Sequence, residues 1–145
     1  MIVQNILKSK PVDGVMTLQS DATVSQAAAM MSEKRIGTVV ISDDGGATPA
    51  GILSERDIVS ALGKGGAGCL TQSVADLMTR KLVTCAPGDS SDAVLGKMTE
   101  GRFRHMPVIE EGKMIGLISI GDVVKARLSE LAMERDALEG MVMGH

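Results

Sequence analysis

The sequence predicts a mixed α/β (α+β) fold in which two β-α-β-β-α repeats pack against each other. Two internal matches and a gap between them predict it. Met31-Ser-Glu-Lys-Arg-Ile-Gly-Thr-Val-Val-Ile41 lies over Met98-Thr-Glu-Gly-Arg-Phe-Arg-His-Met-Pro-Val108 at an offset of 67 residues. Gly51-Ile-Leu-Ser-Glu-Arg-Asp-Ile-Val59 lies over Gly116-Leu-Ile-Ser-Ile-Gly-Asp-Val-Val124 at an offset of 65. Two residues are lost in between, where Asp43–Gly51 shortens to Glu110–Gly116, as hairpin loops commonly do. Self-similarity at such a period marks a duplicated supersecondary unit.

Each copy opens on a short extended run, Val15 to Leu18 or Leu82 to Cys85. A polar turn then leads into a helix. In the first copy Thr23-Val-Ser-Gln26 has the capping-box form, and the helix Val24 to Lys34 places Ala27, Ala28 and Met31 on one face. Ala93 to Glu100 is its counterpart. Two runs rich in Val and Ile follow, Gly37 to Ser42 and Ala50 to Ser54, joined by a Gly-containing turn that signals a hairpin. A second helix is expected at Glu55 to Leu62, with its equivalent starting at Ile120. Gly63-Lys-Gly-Gly-Ala-Gly68 reads by composition as a linker. A lone copy would leave one sheet face uncovered, so the copies are expected to pack through those faces. Residues 1–68 should hold an N-terminal extension, the first repeat and the start of the linker, residues 69–127 the second repeat, and residues 128–145 a C-terminal helical extension.

The 145 residues are 44% hydrophobic and 23% charged, ordinary for a folded chain. Aromatic residues make up only 1%, a single Phe103, so a reader that stacks nucleic-acid bases on several rings is excluded. A net charge of −3 supplies no general attraction to phosphate backbones or anionic membranes. No apolar run is long enough for a membrane span or a signal peptide, which makes a cytoplasmic protein the expectation. Cys69 and Cys85 give no disulfide framework, and His105 with His145 cannot assemble a metal-ligand cluster by spacing. Catalytic signatures are missing as well. The glycine-rich Gly63–Gly68 lacks the Lys-Ser/Thr ending of a P-loop, and no Ser sits in a Gly-x-Ser-x-Gly elbow. Cys85 is expected to be a small apolar wall residue, and the chain is expected not to be an enzyme.

The repeated tetrads Ser54-Glu-Arg-Asp57 and Ser119-Ile-Gly-Asp122 sit where a strand gives way to a helix. A Ser N-cap with Asp three residues on suits the positive end of a helix dipole, and either tetrad alone could be only that. Recurrence of both after a Gly-Ile-Leu or Gly-Leu-Ile strand gives each carboxylate a second reading, as acceptor for the vicinal hydroxyls of a ribose. Arg35, Arg104 and His105 are either solvated surface charge or phosphate ligands, and Arg56 adds a fourth group. Gly121 stands where Arg56 stands in the first tetrad, so the two sites should differ.

The doubled Gly-hydrophobic-hydrophobic-Ser-x-x-Asp pattern, with Glu33-Lys-Arg-Ile-Gly37 before one copy and Gly101-Arg-Phe-Arg-His-Met-Pro-Val108 before the other, resembles a stand-alone tandem pair of CBS (cystathionine β-synthase) domains. The resemblance runs from about Val3 to Arg127. It implies two clefts that bind AMP, ATP, related adenosyl compounds or NAD(H), with Asp57 and Asp122 on ribose hydroxyls and Ser54 and Ser119 beside them. It also implies that Thr17, Thr84, Thr38 and Met106, with the basic residues, line the base and phosphate ends, and that aliphatic side chains pack on the adenine. The resemblance further implies that the two repeats form a pseudo-twofold pair and that the chain is a homodimer joined through exposed helices of both repeats. Fewer than 20 residues follow Arg127, too few for an effector domain, so regulation of an unknown target in trans is expected. The alternative is a protein–protein interaction or oligomerisation module with vestigial nucleotide binding. Val124, Leu128, Leu131, Leu138 and Val142, with Arg135 in the series, step by four and three as a coiled-coil seam would, or else pack on Ile2, Ile6 and Leu7.

Overall fold

In the computed structural model, which describes residues 1–10 and 15–143, the two repeats appear in the expected order. Each is preceded by a short helix, Val3–Ser9 (α1) before the first and Val74–Leu77 (α4) before the second. The first repeat runs through Thr17–Leu18 (β1), Val24–Lys34 (α2), Thr38–Ile41 (β2), Gly51–Ser54 (β3) and Glu55–Gly65 (α3). The second contains Ser91–Gly101 (α5), His105–Glu110 (β4), Lys113–Ser119 (β5) and Ile120–Val142 (α6). His145, counted above among potential metal ligands, lies outside the described residues.

Local sequence chemistry starts and stops these helices. At α2 the Thr23 hydroxyl accepts from the Gln26 N–H at 3.1 Å, and the Gln26 side chain accepts from the Thr23 N–H at 2.9 Å. At α5 the cap is Ser90, whose hydroxyl accepts from the Ala93 N–H, so the helix begins earlier than Ala93. Arg35 and Arg102, equivalent residues 67 apart, close α2 and α5 in the left-handed conformation with φ of 55° and 57°.

Two expectations from composition and pattern are corrected. Gly63–Gly68 is not an open linker: α3 continues to Gly65 and a 3₁₀ turn covers Gly66–Thr71. Cys69, which is buried, and Leu70, packed against the first core, anchor that turn. The opening strand also differs between repeats. In the first, β1 pairs parallel to β2, which runs antiparallel to β3, and the Val40 N–H donates to Met16 O while the Ser42 N–H donates to Leu18 O. In the second, the expected strand Leu82 to Cys85 shrinks to one parallel bridge, Cys85 to Val108, beside the β4–β5 hairpin. Pro107 stands where Val40 stands, and its missing N–H removes the bond that would hold Val83.

The leader helices cross over. α1 belongs spatially to the second repeat: Val3 and Ile6 share a core with Cys85, Val94, Met98, Val108 and Ile118. α4 belongs to the first: Val74 and Met78 share a core with Val24, Ala27, Val39 and Leu53. The backbone connections are matched, with an Ile2–Ser90 bridge on one side and a Thr23–Ser73 bridge on the other. This crossing explains the glycine that opens each repeated motif. A Cβ on Gly51 would lie 2.7 Å from Met78 Cγ and 3.0 Å from the Thr79 carbonyl, and one on Gly116 would lie 2.8 Å from Leu7 Cδ2.

The N-terminal half of α6 completes the second core through Val123 and Ala126. Beyond them Glu130 pairs with the Met1 amino group at 3.0 Å, while Leu128, Leu131 and Leu138 stay 62%, 45% and 62% exposed. No helix among the described residues is long and apolar enough to cross a membrane.

Candidate functional site

β2 is buried along its whole length, although only Val39 and Ile41 join the first core. Because side chains alternate across a strand, Thr38 and Val40 occupy the other face. On β4, Met106 and Val108 join the second core, leaving His105 and Pro107 on the opposite face. The two faces meet at their first residues, where Thr38 Oγ1 lies 3.2 Å from His105 Nδ1. The strand registers set Ser54 opposite Thr38 and Ser119 opposite His105. Both tetrads therefore flank one central contact.

Each tetrad is an intact capping box. The Ser54 N–H donates to Asp57 Oδ2 at 2.8 Å, the Ser54 hydroxyl donates to the same oxygen at 2.9 Å, and the Asp57 N–H donates to Ser54 Oγ at 3.2 Å. In the second tetrad the Ser119 N–H donates to Asp122 Oδ2 at 2.9 Å and the Asp122 N–H to Ser119 Oγ at 3.1 Å. These bonds leave Oδ1 of both aspartates unbonded to any described residue, with acceptor capacity for a ligand's hydroxyls. Each helix start is also tied to the start of its hairpin, by Glu55 N–H to Gly37 O at 2.9 Å and Ile120 N–H to Arg104 O at 2.8 Å.

Chemically the two halves diverge. Lys10, the residue that closes α1, donates from Nζ to Asp122 Oδ2 at 2.8 Å and to Leu117 O at 2.8 Å. Asp57 has no such ion pair among the described residues. Burial pushes the Asp122 carboxyl upward, but hydrogen bonds from Lys10 and the Ser119 N–H, with the Lys10 charge, outweigh it and hold the carboxyl below its usual value. His105 is held below the ordinary imidazole value by burial first and by the charges of Lys10 and Arg104, against the pull of Asp122. Lys10, Arg104, His105 and Asp122 thus form one electrostatic group. Sequence reasoning missed Lys10 because α1 reaches the second repeat only by the crossover.

The other candidate residues are placed variously. Arg56, Arg104 and Thr84 are exposed, and Thr84 directly precedes the Cys85 bridge. Arg35 is the exposed left-handed cap of α2, equivalent to Arg102 and not to Arg104. Thr17 is half-buried on β1, at a groove of about 780 Å³ that also takes in Gln19, Gln26, Met30 and Glu33 but no tetrad residue. Met106, with no exposed surface, lies within the second core and is not among the residues brought to the Thr38–His105 face. Cys85 is buried as a wall of the same core, and burial first, then the Asp89 charge, pushes its thiol up to about 11.

Known proteins share this architecture. A solved CBS-domain containing protein of Agrobacterium tumefaciens is 43% identical, with a TM-score of 0.82 over 88% of this chain and 99% of that one. A mitochondrial CBS domain-containing protein of Arabidopsis thaliana is 34% identical over 148 residues, covering 98% of this chain and 72% of its own length. A CBS domain protein of Pyrobaculum aerophilum, solved in complex with AMP, is 24% identical and superposes with a TM-score of 0.77 over 92% of this chain and 99% of its own, a likeness of fold. The CBS domain family model matches residues 3–64 and 74–129, so each match takes in a leader helix together with the repeat that follows it in sequence. With both repeats matched, and with their Ser-x-x-Asp helix starts set about one Thr38–His105 contact, the chain belongs to the CBS domain family.

Proposed function

We propose that the protein is a regulatory module that binds adenine nucleotides of the AMP, ATP or NAD type in two unequal clefts and acts in trans on a partner protein. One observation carries this reading: two equivalent capping boxes, on either side of a shared contact, each keep a carboxylate oxygen unspent. An ionised carboxylate accepts from two vicinal hydroxyls, which is what a ribose offers. The AMP held by the Pyrobaculum protein supports the ligand class. We read the module as non-catalytic and cytoplasmic, in keeping with its two buried free cysteines.

Calorimetric titration of AMP, ATP and NAD into the wild type, Asp57→Ala and Asp122→Ala tests the reading. Each substitution should cost on the order of 1–3 kcal/mol of binding free energy at its own cleft. No binding to the wild type, or equal affinity in all three proteins, would end it.

The exposed apolar series on α6 supports a homodimer and sustains the second reading, an oligomerisation module with vestigial nucleotide binding. Light scattering should give twice the chain mass. A mass that falls to the monomer in the Leu131→Glu/Leu138→Glu variant, together with no nucleotide binding by the wild type, would favour the second reading.

A further inference from the structure

Asp57 and Asp122 are equivalent residues with equivalent caps, yet the second donor to Oδ2 differs in kind. On Asp57 it is the Ser54 hydroxyl, which frees a lone pair by rotating about one bond. On Asp122 it is the ammonium of Lys10. The carbonyls beneath show the same substitution. Ile52 O accepts from the backbone N–H of Thr79 in the first repeat, and its equivalent, Leu117 O, accepts from Lys10 Nζ in the second. Lys10 therefore does in one half what backbone and hydroxyl groups do in the other.

A ribose whose two hydroxyls span the Asp122 carboxylate fills the free Oδ1 and takes Oδ2 from Lys10, which leaves an ammonium without its carboxylate in a setting that already holds Arg104 and is only partly open to water. A neutral nucleoside brings nothing to replace that partner. A nucleotide brings phosphate, which an ammonium on a four-carbon stem can follow. We propose that Lys10 is a specificity-determining residue of the second cleft, which it makes selective for phosphorylated adenine nucleotides over neutral adenosine. The proposal rests on the nucleotide reading above and adds the basis of discrimination. The first cleft lacks the device.

The test uses the full chain with Asp57→Ala, so that the second cleft is read alone. Adenosine and AMP are titrated into this protein and into the same protein carrying Lys10→Met or Lys10→Arg. Lys10→Met should strengthen adenosine binding and lower the ratio of AMP to adenosine affinity by about fivefold, the scale of a partly exposed ion pair. Lys10→Arg should keep the preference. An unchanged ratio, or weaker adenosine binding in Lys10→Met, overturns the proposal while leaving the nucleotide reading in place. A second measurement separates the two failures. In ligand-free protein, Asp122→Asn should speed acetylation of Lys10 relative to Lys8. If that contact is seen but neither ligand binds any variant, the nucleotide reading has failed and the proposal falls with it; if Asp122→Asn leaves Lys10 acetylation unchanged, the proposal falls by itself.

Discussion

Thr38 Oγ1 and His105 Nδ1 lie 3.2 Å apart, although the two residues are the same position of the repeat, 67 residues apart in sequence. Equivalent residues that touch each other must sit beside the pseudo-twofold axis. The axis thus passes between the two Ser-x-x-Asp helix starts, and a Thr facing a His breaks its symmetry at the centre. Each Ser-x-x-Asp helix start thus borders a contact that it shares with the other.

Protonation of His105 should weaken the fold. Burial and the neighbouring Lys10 and Arg104 hold the folded-state value below the ordinary 6.5 or so. For a group depressed on folding, the stabilisation is complete above the unfolded value and is lost as pH falls through the folded one. Thermal melts from pH 8 to pH 5 should show wild-type stability declining below about pH 6.5, more steeply than in His105→Gln. Parallel curves would mean that the imidazole does not report folding.

The motif glycines should differ in what they tolerate. An added Cβ at Gly51 meets the Thr79 carbonyl at 3.0 Å, and that carbonyl is bonded to Ile52 and cannot retreat freely. At Gly116 it meets the tip of the Leu7 side chain, which can turn. Gly51→Ala should cost about 1–3 kcal/mol in urea denaturation, the range of overpacking. Gly116→Ala should cost less. The reverse order would show that α1 is held more tightly than the segment after α4.

Arg35 and Arg102 occupy left-handed backbone that glycine adopts without penalty. Arg35→Gly and Arg102→Gly should each stabilise the fold by about 0.5–1 kcal/mol. A loss of stability would reveal side-chain contacts worth more than the backbone strain.

Replacing Pro107 should restore a rung. Pro107→Val supplies the N–H that Val40 uses in the first repeat, facing the segment that holds Val83. Amide exchange at residue 107 should be slow, and stability should rise by about 0.5–1.5 kcal/mol, the worth of one hydrogen bond. Rapid exchange there would show that more than the missing donor keeps Leu82–Thr84 out of the sheet.

Much of this architecture was legible because it is encoded locally. A capping box needs only residues three apart, so Thr23 with Gln26, Ser54 with Asp57 and Ser119 with Asp122 could be read directly. The duplication also showed the hairpins, since a strand–turn–strand unit keeps its spacing when copied. The loss of the second opening strand was written in Pro107, but its weight appears only beside Val40, whose N–H shows what is missing.

By itself the sequence determined two copies of one unit, their capped helices, and the family to which those motifs belong. Tertiary structure alone decided which leader helix serves which core, which face of β4 meets the other repeat, and that Lys10 reaches Asp122. The reason is distance along the chain. Caps and strand alternation arise from neighbours within a few residues, whereas the crossover joins groups such as Lys10 and Asp122 that no local pattern relates, and only the burial of α1 against β5 brings them together.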